Sequence, residues 1–348
     1  MATKKSIYYQ MLDADLEEKL KQMESEMPAF MQDYFLSQAL SKGKRTRIAY
    51  IQELKQFLEY LIVHNPLCKD LEPKEIPVEI MQNLSFRDIN EYLAYKKNSG
   101  GNGAASLQRT LSSLRGYFKY EVTHGNLMND PTAGAEKPER VHKKPINRLS
   151  KNEVCELLDG VECSLSGTEH SRNYTTKTQL RDTAVFTLML NTGLRVSECA
   201  GLDIEDINFV RGCVRVMRKG GDLEDVYFNK QTEKALRDYI NLERTNYAKS
   251  EGTGPLFISN RGGRMSVRTI QVMVKKYGVS VLSRSDLHAH SLRKTFGSNL
   301  YEQSGDIRLV ASILNHKSIN TTIQHYADIT DKHKASNRDI NLYNNNEQ

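Results

Sequence analysis

The sequence predicts a mainly α protein of two domains: a small all-helical domain, then a mixed, mostly helical domain with one small β-sheet. Its 348 residues suffice for about two domains of roughly 150 residues each. Apolar residues recur at helical spacing along most of the chain, and a strand-like pattern occurs only near residues 214–228. Residues 129–149 contain prolines and lose the apolar periodicity, which predicts a linker between the two domains.

The composition places the chain in a broad class before any motif is considered. Hydrophobic residues make up 39% and charged residues 26%, as in ordinary soluble globular proteins. The sequence contains no apolar run of about 18 residues, so we expect no membrane-spanning helix, and the N-terminus does not resemble a secretory signal. Five scattered cysteines without a C-x-x-C pair argue against a disulfide scaffold or a zinc site, and indicate a reducing cytoplasm.

The charge distribution gives a mild indication of a polyanionic partner. The net charge is +6, and residues 37–149 hold 18 basic against 12 acidic side chains, whereas residues 1–36 hold 4 against 7. The positive excess therefore begins after the first segment and is largest in the middle of the chain. For any single lysine, a solvated surface position is the alternative to nucleic-acid contact.

The helices of the first part follow from their apolar stripes. Residues 1–39 form an N-terminal helical extension, and residues 40–128 form a compact helical domain. Ser85 and Asp88 have the spacing of a capping box, which predicts the start of a helix. The stripes consist of Leu12, Leu16 and Leu20, then Ile48, Ile51, Leu54 and Leu58, then Phe86, Ile89 and Leu93, then Leu107, Leu111, Leu114 and Phe118. The outer face of the last helix offers Arg109, Arg115 and Lys119, either to solvent or to nucleic acid.

The predicted linker, residues 129–149, is basic. Its charged residues include Lys137, Arg140, Lys143, Lys144 and Arg148. A basic extended segment suits contact with a phosphate backbone. The alternative is an ordinary polar linker.

Residues 150–330 form the second domain. Ser150 and Glu153 give a second capping box, a helix follows at residues 180–190, and Gly193 occupies the position of a C-cap glycine. Val214–Met217 and Glu224–Phe228 flank a turn at residues 219–222, which predicts a β-hairpin. Further helices are predicted at about residues 231–247, 266–277, 288–303, 306–315 and 318–328, a loop at 163–178, and a polar tail at 331–348.

Six residues of this second domain are candidates for chemistry. In chain order they are Arg195, Lys219, His290, Arg293, His316 and Tyr326. Each has an ordinary interpretation when taken alone, such as a surface ion pair, a solvated turn or a core aromatic residue. His290 and Arg293 lie one helical turn apart, so that both can reach the same group. The order and context of the six residues carry more information than any one of them.

The motifs T-G-L-R-V-S-E at residues 192–198, H-S-L-R at 290–293, L-N-H at 314–316 and T-T-I-Q-H-Y at 321–326 resemble those of the tyrosine recombinase, or phage integrase, family. The resemblance covers roughly residues 40–330, with a Xer-like two-domain layout. It implies a SAM-like core-DNA-binding domain at residues 40–128 and a catalytic domain at residues 150–330. Asn315 replaces the usual glycine, and the turn can be kept because Asn tolerates left-handed geometry. Lys294 replaces a frequent second histidine. Neither change removes a catalytic atom.

The resemblance implies a role for each of the six residues. Tyr326 would attack a DNA phosphate, and Lys219 would protonate the departing 5′ oxygen. Arg195 and Arg293 would bind the nonbridging oxygens, a task that suits planar guanidinium groups. His290 would take or relay the tyrosine proton, and His316 would donate a hydrogen bond to the phosphate. This cationic set would need no metal or other cofactor, and the sequence contains no Walker motif.

The residues beside these motifs have less specific interpretations. Glu198 is expected to orient a basic side chain near Arg195. His325 either tunes Tyr326 or faces solvent. Arg261 and Arg264 either contact phosphates or belong to a plain turn.

The implied function is site-specific DNA recombination through a 3′-phosphotyrosyl intermediate and Holliday-junction strand exchange, in integration, excision or replicon resolution. The expected partners are a double-stranded DNA recombination site and further copies of the chain, as a tetramer on two sites, with no membrane. Two alternatives stay open. One is relaxation of supercoils by a type IB topoisomerase-like enzyme, which uses the same chemistry, and the other is a DNA-binding relative that no longer cuts.

Overall fold

The computed structural model describes residues 7–101, 103–139, 147–163, 177–218, 220–246, 254–315, 318–319 and 322–323. The chain divides into two compact units, one over residues 2–143 and the other over residues 144–348. Helices dominate both units, and a small antiparallel sheet lies in the second. The predicted fold class is therefore confirmed. No helix in the described ranges is long and apolar enough to cross a membrane.

The first unit contains six α-helices among its described residues. They are α1 (Ile7–Ser25), α2 (Gln32–Ser41), α3 (Lys44–His64), α4 (Val78–Gln82), α5 (Phe86–Gly100) and α6 (Ala104–Thr123). The capping box that starts α5 is present, since the Ser85 N–H donates to Asp88 at 2.8 Å. Leu20 of α1 and Tyr34 of α2 are buried in the same core as Leu58 and Tyr117. The N-terminal helices thus share the core of this unit.

The two described ends of the predicted linker pack on different units. Ala135 is buried in the core of the first unit, and the Glu136 N–H donates to the Asn90 side chain at 2.9 Å. Leu149 is buried in the second unit, where its N–H donates to Thr295 Oγ1 at 2.9 Å. Residues 140–146, between these ends, lie outside the described residues, and the linker's role at a phosphate backbone stays a prediction.

The second unit combines a small three-stranded sheet with helices, and both contribute residues to one core. Its described elements are α7 (Lys151–Glu162), α8 (Gln179–Thr192), α9 (Val196–Gly201), β1 (Ile207–Asn208), β2 (Cys213–Met217), β3 (Leu223–Tyr227), α10 (Lys230–Asp238), α11 (Val267–Leu282), α12 (Ala289–Ser304) and α13 (Ile307–Ile313). The capping box at the start of α7 is present, because Ser150 and Glu153 exchange hydrogen bonds of 2.7 and 3.3 Å.

The sheet is antiparallel, in the order β1-β2-β3, and the predicted hairpin forms its larger part. Val214 pairs with Val226, and Val216 pairs with Glu224. Val214, Val216 and Val226 are buried in the core of the unit, so that face of the hairpin is fixed against the helices. The hairpin turn therefore connects two strands that are held against the core of the unit.

Several predicted elements differ in extent from those observed. The helix predicted at 231–247 ends at Asp238 and continues as a π-helical turn, Tyr239–Glu243, and a 3-10 turn, Arg244–Asn246. The helix predicted at 266–277 extends to Leu282. Most of the loop at 163–178, most of the helix at 318–328 and the tail at 331–348 lie outside the described residues.

Candidate active site

Arg195 is placed by a sharp turn between α8 and α9. Gly193 ends α8 with φ +64°, as predicted for a C-cap glycine, and Arg195 then acts as the N-cap residue of α9. A Cβ atom at position 193 would lie 2.4 Å from Phe296 Cδ1, so the close approach of α12 also requires glycine here. The local sequence thus fixes the backbone from which the Arg195 side chain projects.

Glu198 binds the Arg195 guanidinium, and it also pairs with Arg218 at 3.0 Å, a basic side chain near Arg195 of the kind expected for it. Glu198 is only 4% exposed, and its Oε1 accepts a 2.7 Å hydrogen bond from Arg195 Nη1. Its Oε2 accepts from the backbone N–H of Arg195 at 2.8 Å. The Arg195 side chain keeps 31% of its surface exposed, so part of it remains accessible.

Arg293 lies on α12 and is almost completely buried, with 3% of its surface exposed. Its Nη1 donates to the Gly193 carbonyl at 2.7 Å, and its Nη2 donates to the Leu314 carbonyl. The first carbonyl belongs to the turn that places Arg195, and the second lies just beyond α13. Arg293 therefore joins the end of α8 to the end of α13.

His290 and His288 stand at the start of α12 but differ in their surroundings. His290 is exposed, one turn before the buried Arg293. His288 is the N-cap residue, with Nδ1 3.1 Å from the Asp286 carbonyl, and its ring centroid lies 6.4 Å from that of His290. In the H-x-H pair of the sequence, His288 is thus the N-cap residue of α12 and His290 lies in the first turn of the helix.

Three successive carbonyls at the end of α13 each accept a hydrogen bond from a different arginine. Ile313 accepts from Arg218 Nη2 at 3.3 Å, Leu314 accepts from Arg293, and Asn315 accepts from Arg195 Nη2 at 3.2 Å. The last carbonyls of a helix have no partner within the helix and carry partial negative charge, which favours cations there. Arg195 and Arg293, predicted to act together, are brought to neighbouring carbonyls of one turn.

Asn315 ends this turn in the left-handed conformation expected for it, with φ +47°. Its side chain has a function that glycine could not provide, because Nδ2 donates to Glu224 Oε2 at 3.1 Å. The next residue in the chain is His316. The turn therefore fixes the backbone up to the residue before a predicted site histidine.

Arg218 belongs to this arrangement, although sequence reasoning did not identify it. It lies between β2 and the hairpin turn, is 3% exposed, and forms ion pairs with Glu198 at 3.0 Å and Glu224 at 2.9 Å. Burial alone would raise the pKa of Glu224, but hydrogen bonds from Arg218 and Asn315 and the charge of Arg195 hold that pKa below its ordinary value. An arginine next to a glycine turn has no sequence signal for burial, since two of its partners, Glu198 and Ile313, come from other segments of the chain.

Lys219, His316 and Tyr326 lie outside the described residues, so their roles stay predictions. The described residues next to Lys219 in the chain are Arg218 and Gly220, and the described residue next to His316 is Asn315. Within the described part of the chain, no three His, Cys, Asp or Glu side chains are grouped to hold a metal ion.

The two interpretations of Arg264 are separated by its contacts. Its Nη1 donates to the carbonyls of Ala200 at 3.1 Å and Leu202 at 2.8 Å, and its Nη2 pairs with Asp203. Arg264 therefore ties a loop to the end of α9, as expected for a structural residue. Arg261 is exposed, and its contact with phosphate stays a prediction.

The two units have the fold of the tyrosine-type DNA recombinases. Similar solved structures include XerH site-specific recombinase bound to palindromic difH substrate, with a TM-score of 0.62 and 20% identity over 87% of this chain and 82% of that chain. A lambda integrase dimer bound to a COC′ core site gives a TM-score of 0.60 and 16% identity, covering 85% of this chain and 94% of that chain. At such identities the likeness shows the fold.

The sequence comparisons define the family. Residues 147–333 match the profile of the phage integrase family. Tyrosine recombinase XerC of Pseudomonas aeruginosa is 35% identical over 254 residues, which cover 73% of this chain and 78% of the relative. XerC of Azotobacter vinelandii is 34% identical over 237 residues, covering 68% and 73%. The chain belongs to the phage integrase family of tyrosine recombinases, enzymes that cleave and rejoin DNA, and the resemblance seen in its motifs is confirmed.

Proposed function

We propose that this protein recombines specific DNA sites by transesterification through Tyr326. The observation that carries the proposal is the placement of Arg195 and Arg293 on neighbouring carbonyls of the turn that precedes His316. Two guanidinium groups held this close can neutralise the charge that develops on the nonbridging oxygens of one phosphate. A guanidinium group has five N–H donors, so each arginine can bind the phosphate while it keeps its carbonyl partner.

The proposed reaction conserves the energy of the phosphodiester. The phenol oxygen of Tyr326 attacks phosphorus, the bond to the 5′ oxygen breaks, and Lys219 gives that oxygen a proton. A free tyrosine has a pKa near 10, as a general value, and the neighbouring cations favour its ionised form. His290 takes or relays the phenol proton, and His316 donates to the phosphate. The strand is left with a 3′-phosphotyrosyl bond and a free 5′ hydroxyl.

Recombination then requires a second strand. The 5′ hydroxyl of a partner strand attacks the phosphotyrosyl bond and releases Tyr326, and two such exchanges pass through a Holliday junction. We propose a tetramer of this chain on two DNA sites, acting in integration, excision or replicon resolution. Five free cysteines, of which Cys155 and Cys163 are exposed, support a reducing compartment such as the cytoplasm.

Two other functions would use the same fold. A type IB topoisomerase-like enzyme would relax supercoils as a single copy at many sequences, whereas a recombinase needs paired sites. A relative that binds without cutting would have no use for Tyr326 and Lys219. The names of the XerC relatives and of the XerH structure favour recombination at defined sites.

The proposal is tested by trapping the covalent intermediate. The full chain is incubated with candidate site DNA that carries a nick near the cut, in EDTA, and denaturing electrophoresis then detects protein joined to DNA. We expect an adduct with the wild type and none with Tyr326→Phe, which should bind the DNA with unchanged affinity. An adduct that persists in Tyr326→Phe, or one that forms only when magnesium is added, would contradict the proposed chemistry.

A further inference from the structure

We propose that Arg218 is a positioning residue, which holds the hairpin next to Lys219 in a fixed relation to the turn that precedes His316. This inference rests on the proposed function, since it concerns the delivery of the general acid. It adds to the six family residues one that their motifs do not include.

Arg218 uses its whole guanidinium group to join separate segments. Nη1 donates to Glu198 Oε2 at 3.0 Å, Nε donates to Glu224 Oε2 at 2.9 Å, and Nη2 contacts Glu224 Oε1 and the Ile313 carbonyl, both at 3.3 Å. Glu198 belongs to α9 and Glu224 to β3, while Ile313 ends α13. One buried side chain therefore contacts all three segments.

These contacts close into a ring of five residues. Glu224 accepts from the Asn315 side chain at 3.1 Å, the Asn315 carbonyl accepts from Arg195 at 3.2 Å, and Arg195 donates to Glu198 at 2.7 Å. Glu198 and Glu224 are then joined through Arg218. The ring includes Arg195 itself, the residue before Lys219 and the residue before His316. It links three chain segments whose relative positions the proposed reaction must maintain.

The backbone of Arg218 is also fixed, because it closes the hairpin turn. Its N–H donates to the Asp222 carbonyl at 2.8 Å, and its carbonyl accepts from the Gly221 N–H at 3.0 Å. Gly220 and Gly221, on the far side of the turn, have φ of +129° and +98°, a backbone geometry that favours glycine because it has no Cβ atom. In the sequence, Lys219 follows a residue whose backbone is fixed and precedes two glycines. The fixed backbone of Arg218 therefore limits the positions that Lys219 can reach.

Lysine could not replace Arg218 in this role. A guanidinium presents donors in a fixed plane and can serve two carboxylates and a carbonyl at once, whereas an ammonium is a point donor on a flexible stem. The group is 3% exposed and its nitrogens face Glu198, Glu224 and Ile313, so its geometry favours positioning over contact with DNA.

The test separates proton delivery from other defects by changing the leaving group. Two versions of the nicked site DNA are compared, one with the natural phosphodiester and one with a 5′-bridging phosphorothioate, whose sulfur leaves without protonation. With Arg218→Met we expect adduct formation on the natural DNA to slow by about 100-fold, as for a misplaced catalytic group. On the phosphorothioate the rate should return close to that of the wild type, as it should for Lys219→Ala.

The matched control is Arg215→Met on the same hairpin. Arg215 pairs with Asp225 at 3.1 Å but is 56% exposed and lies outside the ring. We expect its rates on both substrates to stay near those of the wild type. DNA affinity and far-ultraviolet circular dichroism are measured for each variant, so that lost binding or lost folding is recognised.

Further variants keep the inference testable if Arg218→Met fails to fold. Asn315→Gly retains a residue suited to positive φ but removes the contact with Glu224, and Arg218→Lys retains the charge without the planar donors. Both should slow cleavage of the natural DNA, with recovery on the phosphorothioate. Unchanged rates, or equal losses on both substrates, would overturn the role of Arg218. Absence of any adduct with the wild type would instead overturn the proposed function.

Discussion

At the scale of single residues, the described part of the site depends on a few positions that tolerate no ordinary substitute. Gly193 is one of them, because its left-handed backbone coincides with close packing by α12. A Cβ atom there would lie 2.4 Å from Phe296 Cδ1 and 2.9 Å from Leu314 Cδ2. The Gly193 carbonyl also accepts from Arg293 at 2.7 Å, so a shift of this residue would move an arginine of the site.

We predict that Gly193→Ala lowers the free energy of unfolding more than a substitution at a comparable glycine. The left-handed backbone costs an L-residue roughly 1–2 kcal/mol, and overpacking adds about 1–3 kcal/mol. Gly305 provides the control, because it ends α12 with φ +65° and a Cβ atom there would meet nothing within 4 Å. Gly305→Ala should carry only the backbone cost. Denaturant unfolding followed by circular dichroism measures both, and equal losses would contradict the steric argument.

The sequence identified the residues whose chemistry is carried by local motifs, but not those defined by tertiary contacts. Arg195 and Arg293 stand in short motifs, and the C-cap role of Gly193 follows from the end of an apolar helix. Arg218 was not identified, because its burial depends on carboxylates and a carbonyl from α9, β3 and α13. Glu224 lies across the same hairpin, but no local pattern specifies the contacts with Glu198 and Ile313, which lie 20 and 95 residues away.

At the scale of elements, α8 is the central helix of the second unit. Its residues from Thr183 to Leu190 are all buried, so the helix is enclosed on every side. Its N-terminus is held by the buried Glu243, which accepts the Leu180 N–H at 2.8 Å. Glu243 comes from the π-helical turn after α10, and this irregular turn aims its carboxylate at α8.

Glu243 is expected to make the stability of the second unit depend on pH. Burial raises its pKa from 4.5 to about 7, although the Leu180 N–H and the charge of Arg181 act in the opposite direction. Asp182 and Tyr239 are also close, and Asp182 opposes ionisation of Glu243. Because the folded state holds a proton that the unfolded state has already lost, the stabilisation is complete below pH 4.5 and is lost as pH rises to about 7.

We predict that Glu243→Gln removes this dependence. The amide oxygen can still accept the Leu180 N–H, so the helix cap is kept while the titrating group is lost. As pH rises through this window, the free energy of unfolding of the variant should increase relative to that of the wild type by on the order of 3 kcal/mol. Hydrogen exchange of the α8 amides at several pH values measures the difference. A difference that stays constant with pH would contradict the raised pKa of Glu243.

The regular elements were predictable because their periodicity extends over several turns. β1 was missed because two residues carry no periodic signal, and its pairing with β2 is decided by tertiary packing. The prediction of one continuous helix at residues 231–247 did not include the π-helical turn, since the spacing of Tyr239 and Leu242 fits either geometry. Both differences arise where long-range contacts override the local pattern.

At the scale of the whole molecule, the charge pattern along the sequence does not carry over to the folded units. The acidic α1 packs on the basic α3, where Lys44 pairs with Glu17 at 2.8 Å, and Lys55 of α3 pairs with Glu26, just after α1, at 2.7 Å. Residues 2–143 then hold 20 basic and 19 acidic side chains, and residues 144–348 hold 29 and 24. The positive excess expected in the middle of the chain is largely neutralised, and the unit with the candidate site holds most of the net charge.

DNA affinity should therefore depend on individual exposed cations. Arg109 of α6 is 62% exposed and is held through Nε by the buried Glu53 at 3.0 Å. Glu53 also pairs with Lys96 at 2.7 Å, so one carboxylate serves two cations and the group keeps a net positive charge, which suits contact with a phosphate. Lys55 and Glu26 form a pair of opposite charges with no net charge. Wild-type affinity should fall steeply with salt, by about 10³- to 10⁵-fold between about 50 and 200 mM if six to ten phosphates are contacted.

We predict that Arg109→Gln weakens binding equally on specific and unrelated DNA, and reduces the slope of log affinity against log salt by about 1. Lys55→Gln, the matched control, should leave the slope unchanged, because its charge is already neutralised within the unit. Titrations of labelled duplexes over a range of salt concentrations give both slopes. A wild-type response that is flat with salt would contradict a wide phosphate footprint. Equal slopes for the wild type and Arg109→Gln would show that this arginine faces solvent in the complex.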